Sequence, residues 1–278
     1  MSNQKQVVLQ QAHGQLNKFL DKKQAALPSD FNETRFLQNC MTVLQDTKNI
    51  EKMKPVSIAR TMLKGAFLGL DFFNGECYAI PYGNDLNFQT DWTGERKLAL
   101  KYSREPIADI YAKTVHENDR FNAGVKDGKQ YLHHEEAGFD QGEIIGAYAV
   151  ADYVNGNIKY EKMSKKDIEG IRDNFSKAPG SKAWKHTFGE MCKKVVIRRL
   201  CKGIELEFEN QEQKLAHEDG AGMEFEEDEG NKADEQSPFD AVDVDYENVE
   251  DDEPEDDFAK DVEDTIKESG EWWKNIIN

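Results

Sequence analysis

Apolar residues recur at helical spacing through the first part of the chain. Helices are predicted over residues 1–54, with a break at Pro28 and a restart at Asn32, whose side chain suits an N-cap. A further helix is predicted to begin after Pro55 and to end at Gly69, because glycine adopts the left-handed backbone of a helix stop at little cost. The chain is therefore expected to open with a helical region.

The hydrophobic pattern changes to a two-residue alternation in "GECYAIPYGNDLNFQTDW", residues 75–92. This alternation predicts two strands joined by a turn at residues 83–85. The next segment, "TGERKLALKYSR", returns to helical spacing. A small hairpin between helices is the expected outcome.

Strand-rich sequence follows, and Asn155-Gly156 predicts a hairpin between strands at about 143–154 and 157–163. Ser164 and Asp167 are spaced for a capping box at the start of the next helix. The last clear helix is predicted from about Thr187 to Lys202. Helices and hairpins in this order predict an α+β fold.

Charge divides the chain into two unequal parts. Residues 205–278 carry 29 Asp and Glu against 5 Lys and Arg, a net charge of -24. The remaining 204 residues carry 31 basic and 25 acidic side chains, a net charge of +6. Four regions are predicted: an N-terminal helical region that makes oligomer contacts, a basic core, a disordered acidic linker and a short amphipathic C-terminal element. Their bounds are 1–54, 55–204, 205–259 and 260–278.

Targeting and redox signals are few. No apolar run approaches the ~20 residues that span a bilayer, and the N-terminus has no apolar signal core. The four cysteines are scattered without a C-x-x-C pair, so buried reduced thiols are expected rather than disulfides or a zinc site. A cytoplasmic protein without a membrane partner is the prediction.

The helix at residues 187–202 concentrates positive charge. Lys194, Arg198 and Lys202 recur every four residues and predict one exposed stripe, with Lys193 and Arg199 beside it. Like charges at this spacing repel by about 0.2–0.5 kcal/mol per pair, and a polyanion across the stripe would reverse that cost. A solvated cationic face, or one paired with the acidic tail, is the alternative explanation.

Two more basic segments lie near aromatic residues. One follows Trp92 and the other surrounds Trp184; their cations are Arg96, Lys97, Lys101 and Arg104, and Lys177, Lys182 and Lys185. Fixed cations suit phosphates and flat rings suit unpaired bases, so the three segments together predict a groove for single-stranded nucleic acid. Either tryptophan taken alone is better explained as a core residue.

Enzymatic chemistry has weak support. The chain has no phosphate-binding P-loop, and "HHEE" at residues 133–136 would point alternate side chains to opposite faces of a strand. Asp109, Glu117 and Asp119 are the only candidate carboxylate set for a metal nuclease, and their spacing matches no motif. No catalytic residue, metal or cofactor is therefore predicted.

Six segments in order resemble the RecT family of phage single-strand annealing proteins. They are "LGLD" (68–71), "GECYAIPYGN" (75–84), "WTGERKLALK" (92–101), "GAYAVADY" (146–153), "MSKKDIEGIRD" (163–173) and "EMCKKVVIRRL" (190–200). The resemblance implies an antiparallel β-β-β-α core. It also implies ATP-independent binding of single-stranded DNA and annealing of complementary strands during homologous recombination in a bacterial host, with no bond chemistry.

The same resemblance implies partners. It implies a homo-oligomer, as a ring or a helical filament, and a partner exonuclease that supplies single-stranded DNA. The terminal "EWWKNIIN" is a candidate dock for a host single-strand binding protein, or else a self-docking helix. Three rival functions stay open: a passive single-strand binder without annealing activity, a metal nuclease, and an interaction protein built around the acidic tail.

Overall fold

A computed structural model describes residues 3–176 and 178–222. The strands are β1 (Cys77–Tyr82), β2 (Asp85–Thr90), β3 (Ile107–His116), β4 (Arg120–Lys126), β5 (Lys129–Glu135), β6 (Ile144–Tyr153) and β7 (Ile158–Ser164). The α-helices are α1 (Asn3–Lys22), α2 (Glu33–Asp46), α3 (Pro55–Leu68), α4 (Trp92–Tyr102), α5 (Lys165–Phe175), α6 (Lys182–His186), α7 (Phe188–Lys202) and α8 (Gln211–Gly222). Short 3-10 turns lie at Gln24–Ala26 and Ile50–Lys52.

A three-stranded antiparallel sheet in the order β3-β6-β7 forms the centre of the basic region. The central strand β6 alternates small and large residues, which decides what covers each face. Ala147, Ala149 and Ala151 belong to the apolar core that also holds Val196 and Leu200 of α7. The alanines leave room for α7 to lie close to the sheet. Together with α5 and α7 this sheet confirms the expected antiparallel β-β-β-α type core.

The opposite face of β6 is covered by the β4–β5 hairpin. Tyr148 and Val150 of β6 pack there with Val115, and Phe121 of β4 lies against the Tyr148 ring with centroids 5.3 Å apart. Asp127 and Gly128 form the hairpin turn, and both have positive φ angles of 53° and 76°. Because β6 is covered on both sides, it reads as a nearly continuous buried strand.

A second apolar core lies between the N-terminal helices, the β1–β2 hairpin and α8. Its fully buried members include Leu16 of α1, Phe67 of α3 and Phe88 of β2, and Ala216 places α8 in the same core. Full burial of each large side chain contributes about 1.5–3 kcal/mol. The helices before Pro55 therefore share a core with the first part of the basic region and with α8, which follows that region.

Local sequence signals fall where they were expected. Asn32 accepts a hydrogen bond from the Arg35 amide at 2.9 Å as the N-cap of α2, and Gly69 ends α3 with φ of 63°. Ser164 and Asp167 form the predicted capping box of α5. The hairpin at Asn155-Gly156 joins β6 to β7, with Gly156 at φ of 82°. The four cysteines are free and buried.

The structure differs from the sequence analysis after residue 204. Residues 205–222 were expected to begin a disordered linker, yet Leu206 pairs with Ser103 in an isolated bridge and α8 follows. Phe208 contributes to the ordered packing of this segment, because its ring centroid lies 5.0 Å from that of Tyr102 and 5.2 Å from that of His217. The rest of the predicted linker, the C-terminal element and Lys177 lie outside the described residues.

Candidate nucleic-acid interface

Two exposed cations follow one side of α4, and a third comes shortly after the helix ends. Lys97 and Lys101 are four residues apart, which places them on one stripe of α4, and Arg104 lies two residues beyond Tyr102. Each is held by carboxylates of the same chain: Lys97 by Glu76 at 2.7 Å, Lys101 by Asp30 at 3.4 Å, and Arg104 by Glu205 at 3.2 Å and Glu207 at 3.3 Å. Arg96 points away from this stripe, since it bonds to Asp109 and to the Ile110 carbonyl of β3.

Close backbone contact fixes the start of α4 against the segment before β1. A side chain at Gly94 would place its Cβ 2.1 Å from the Glu76 carbonyl oxygen, so only glycine allows this approach. The Asp91 amide donates to the same oxygen at 3.0 Å. The Glu76 carboxylate meanwhile accepts from Lys97. Glu76 therefore joins the cation of α4 to the residue that precedes α4.

Asp91 in turn holds a cation of α7. The Lys194 ammonium lies 2.9 Å from Asp91 Oδ1, and the Lys194 side chain remains 36 % exposed. Lys97 and Lys194, which come from segments almost one hundred residues apart, are thus connected through the contact between Glu76 and Asp91. We call this place the α4–α7 junction, comprising Glu76, Asp91, Lys97 and Lys194.

Arg198 does not lie on an exposed stripe, and that expectation is wrong. Only 5 % of the residue is exposed, and its guanidinium donates to the Thr90 carbonyl at 3.0 Å. The helical wheel failed here because α7 buries two sides: one faces the sheet and the other faces α4. Arg198 therefore belongs to the interior beside the junction.

A buried polar network surrounds Arg198. Glu95 of α4 is 1 % exposed, accepts from the Thr90 hydroxyl at 2.5 Å, and lies 3.3 Å from the His217 ring of α8. Burial alone would raise the pKa of Glu95, but hydrogen bonds with His217 and Thr90 and the positive charges of His217 and Arg198 lower it. The network thus keeps a buried carboxylate charged next to a buried guanidinium.

Trp92 and Trp184, the two tryptophans predicted to lie beside the basic segments, both contribute to the core. Trp184 is 6 % exposed, donates to the Ser176 hydroxyl at 3.3 Å, and lies 6.2 Å from the Phe188 ring. Trp92 is half-buried against the same core. Trp184 offers no exposed ring face, so its predicted stacking role has no support in this arrangement.

The remaining predicted cations lie toward the two ends of α7. Lys182 and Lys185 are exposed on α6, and within the described part of the chain no ion pair holds either of them. Lys193 pairs with Glu190 at 2.5 Å. At the other end, Arg199 lies 3.5 Å from Glu161. Lys202 there donates to the Ala221 carbonyl at 3.0 Å.

One aromatic residue near the junction was missed by the sequence analysis. Tyr78 of β1 is 44 % exposed. Burial is the main cause that raises its pKa, the Asp91 charge adds to the rise, and Lys194 opposes it, so the phenol lies within the field of both junction residues. The alternation in "CYAIPY", which places Tyr78, Ile80 and Tyr82 on one face of the strand, is the signal that could have pointed to an exposed ring here.

The rival nuclease carboxylates do not come together. Asp109 pairs with Arg96 at 2.8 Å, whereas the fully buried Asp119 side chain lies 3.1 Å from the His134 ring. Burial opposes ionisation of Asp119, but hydrogen bonds from the Ala137 and His116 amides and from His134 outweigh it and lower its pKa to about 2. Among the described residues, no group of three or more His, Cys, Asp or Glu is arranged to hold a metal ion.

Comparison with known proteins gives independent information about this region. The model of the RecT family matches residues 34–236, which is more than half of the chain. This chain belongs to the RecT family. It is similar to protein RecT of Escherichia coli (strain K12), with 27 % identity over 197 residues that cover 67 % of this chain and 72 % of that protein. It is also similar to the uncharacterized protein YqaK of Bacillus subtilis (strain 168), with 24 % identity over 172 residues, 60 % of this chain and 57 % of that protein.

Membership in the RecT family associates the chain with DNA binding and DNA recombination. The matched region runs from the first turn of α2 through α8 and contains the junction, the central sheet and every predicted cation. None of the helices in the described segments is long and apolar enough to cross a membrane. The RecT-family chain therefore presents its candidate DNA contacts on a folded α+β body.

Proposed function

We propose that this RecT-family protein binds single-stranded DNA and anneals complementary strands during homologous recombination, without ATP. The α4–α7 junction is the observation that carries the proposal, because it links Lys97 to Lys194 through Glu76 and Asp91, and the exposed ring of Tyr78 lies within the field of Asp91 and Lys194. Cations hold the phosphate backbone without reading the sequence, and an exposed ring stacks on any base. This combination suits a protein that accepts every sequence.

Annealing requires that base edges stay free while the backbone is held. The α4 stripe of Lys97 and Lys101, followed by Arg104 just beyond the helix, would provide phosphate contacts at close spacing. Carboxylate partners, such as Glu76 for Lys97 and Asp91 for Lys194, hold the cations in place when DNA is absent. Phosphates would replace these partners, so binding exchanges one set of ion pairs for another and requires little reordering.

The proposal includes assembly and partners. A homo-oligomer, in the form of a ring or helical filament, would join the contact surfaces of successive copies into a continuous path for the strand. A partner exonuclease would supply the single strand, and a host single-strand binding protein would meet the C-terminal tail. This work would take place in the cytoplasm of a bacterial host, with no catalytic step on the DNA.

A strand-pairing assay tests the proposal. Two complementary oligonucleotides carrying a fluorophore and a quencher are mixed with the full chain in the absence of ATP, and quenching reports pairing. We expect faster pairing than in buffer, and an affinity for single strands that falls with salt at a slope of about -0.7 per phosphate contacted. Strand protection without faster pairing would identify a passive binder, and cleavage that depends on divalent ions would identify a nuclease.

A pair of matched variants locates the contact. Lys97→Gln with Lys194→Gln removes two junction cations, while Lys18→Gln with Lys22→Gln removes two exposed cations of α1 and serves as the control. We expect the junction variant alone to lose strand affinity and salt dependence. Circular dichroism checks that both variants stay folded. Equal affinity of the two variants would move the DNA contact away from the junction.

A further inference from the structure

Helix α8 is anchored to the body by polar contacts near its end. Lys64 of α3 lies 2.7 Å from Asp219, and the two side chains are only 9 % and 17 % exposed. The Thr90 hydroxyl, which donates to Glu95, also lies 3.3 Å from the Gly220 carbonyl oxygen. A Cβ at Gly220 would lie 2.7 Å from the Phe88 ring, so the helix packs too closely there for a side chain. The point at which the chain leaves α8 is therefore fixed.

That exit point lies next to a group of cations. Lys202 of α7 donates to the carbonyl of Ala221, the last residue but one of α8, at 3.0 Å. Lys159 of β7 donates to the Gly203 carbonyl at the end of α7. Arg199 lies one turn earlier on α7. We call Lys159, Arg199 and Lys202 the exit cluster.

The end of α7 explains part of the exit cluster, because the carbonyl end of a helix attracts cations. Two carboxylates also face it: Glu161 lies 3.5 Å from Arg199, and the pKa of Asp167 is lowered by its hydrogen bonds with Ser164 and, further, by the charge of Arg199. Arg199 nevertheless has a side chain that is 57 % exposed, and Lys202 is exposed. The cluster therefore retains surface for a further anion.

The sequence that follows the exit point is strongly acidic. Residues 223–278 carry 23 Asp and Glu against 4 Lys and Arg, a net charge of -19. Five of these acids come at once, within "EFEEDE" at residues 224–229. Glu229 is seven residues beyond Gly222, so even a fully extended chain keeps it within about 25 Å of the exit point. Tethering at such a range corresponds to a local concentration on the order of millimolar.

We propose that the acidic segment 224–229 binds the exit cluster and competes there with the phosphate backbone of DNA. The surface is Lys159, Arg199 and Lys202, and its occupant is this named segment of the same chain. The competition with DNA rests on the proposed function, whereas the contact itself does not. A tethered competitor weakens non-specific binding at low salt and is displaced when a long strand engages several sites at once.

Carbodiimide crosslinking of the full chain without DNA tests the contact directly. The reagent joins only carboxylates and amines in direct contact, and mass spectrometry identifies the joined peptides. We expect crosslinks from residues 224–229 to Lys159 or Lys202, lost in high salt because the attraction is screened. If segment 224–229 gives no crosslink to either lysine, the contact is overturned.

Two charge-matched variants test the competition. The near variant changes Glu224, Glu226, Glu227, Asp228 and Glu229 to the amides, and the far variant does the same for Asp251, Asp252, Glu253, Glu255 and Asp256. Both lose five negative charges and leave α8 intact. We expect the near variant to bind single-stranded DNA roughly five- to tenfold more tightly than the unchanged chain at low salt. The far variant should gain much less affinity, and the difference between the two variants should vanish at high salt.

The outcomes separate this inference from the proposed function. Equal affinity gains in the two variants would show an effect of net charge alone and would overturn local competition. Should no form of the chain bind DNA, the proposed function and the competition both fall, and crosslinks alone then decide the contact. Tighter binding by the near variant, together with salt-sensitive crosslinks from residues 224–229 in the unchanged chain, supports both steps.

Discussion

Two groups of cations on and before α7 differ in what they do for the protein. At the junction, Lys194 pairs with Asp91, and the neighbouring Arg198 is buried against Thr90. On α6, Lys182 and Lys185 are exposed, and no carboxylate of the described segments pairs with them. Junction cations therefore stabilise the fold as well as offering charge. The α6 cations offer charge alone.

This difference decides how DNA binding should be tested. A variant at the junction changes folding and binding together, so a lost gel shift there has two explanations. Charge reversal at Arg198 would bury a carboxylate beside Glu95 and unfold the body, although the sequence suggested an exposed position. A variant on α6 changes binding without that complication. The unfolding free energy of each variant therefore has to be measured together with its affinity for DNA.

The largest effect is expected from Arg198→Gln. Removing the guanidinium takes away one of the two positive charges that face the buried Glu95 carboxylate, and breaking a buried pair of charges typically costs about 3–5 kcal/mol. We expect the midpoint of urea unfolding to fall sharply. Arg199→Gln is the matched control, because it makes the same change one residue away at a side chain that is 57 % exposed. Its free energy of unfolding should change by about 0.5 kcal/mol or less.

A similar loss of unfolding free energy in Arg198→Gln and Arg199→Gln would contradict this prediction. It would mean that burial of Arg198 adds nothing to stability, and that position 198 behaves as the exposed cation that the helical spacing suggested. Arg198→Lys keeps the positive charge, but a lysine lacks the planar guanidinium that reaches the Thr90 carbonyl. The lysine variant should recover only part of the loss.

Local signals in the sequence predicted much of the fold. Asn32, Gly69, Ser164 with Asp167, and Asn155-Gly156 act through their own turn or cap, and each lies at the expected boundary. The core of α7 was also predictable, because Val196 and Leu200 follow helical spacing toward one neighbour. These features depend on a few adjacent residues, which the sequence contains in full.

Features that depend on a second neighbour were not predictable. Burial of Arg198 requires that α4 and Thr90 of β2 cover a second side of α7, and no spacing within α7 reports this. Leu215 and Ala216 are the apolar residues of α8 that join the core, and the end of the helix depends on Lys64, which lies 155 residues before its partner Asp219. The pairing of Lys97 and Lys194 with separate carboxylates is likewise a property of the assembled body.

A smaller effect is expected from Glu95→Gln in the same network. The amide keeps the size of the side chain but loses the charge that faces His217 and Arg198, at a typical cost of about 1–3 kcal/mol at neutral pH. Because the folded pKa of Glu95 is lowered, its contribution is full above its ordinary pKa of 4.5 and is lost as the pH falls through the folded value. The stability gap between the two chains should therefore narrow in acid, which thermal unfolding from pH 7 to pH 3 measures. A gap that is constant with pH would remove Glu95 from the charged network.

The smallest effect, and the sharpest for function, is expected from Lys182→Gln with Lys185→Gln. Neither ammonium has a carboxylate partner within the described residues, so the thermal midpoint should not move. If both touch phosphates in the proposed DNA complex, the slope of log affinity against log salt should become less steep by about 1.4, since each contact contributes about 0.7 for single strands. Binding isotherms at four salt concentrations measure this slope, with Lys18→Gln and Lys22→Gln as the control pair. An unchanged slope would restrict the DNA path to the junction and the α4 stripe. A cation that contacts a phosphate causes a counterion to be released on binding, so removing its charge must make the slope less steep.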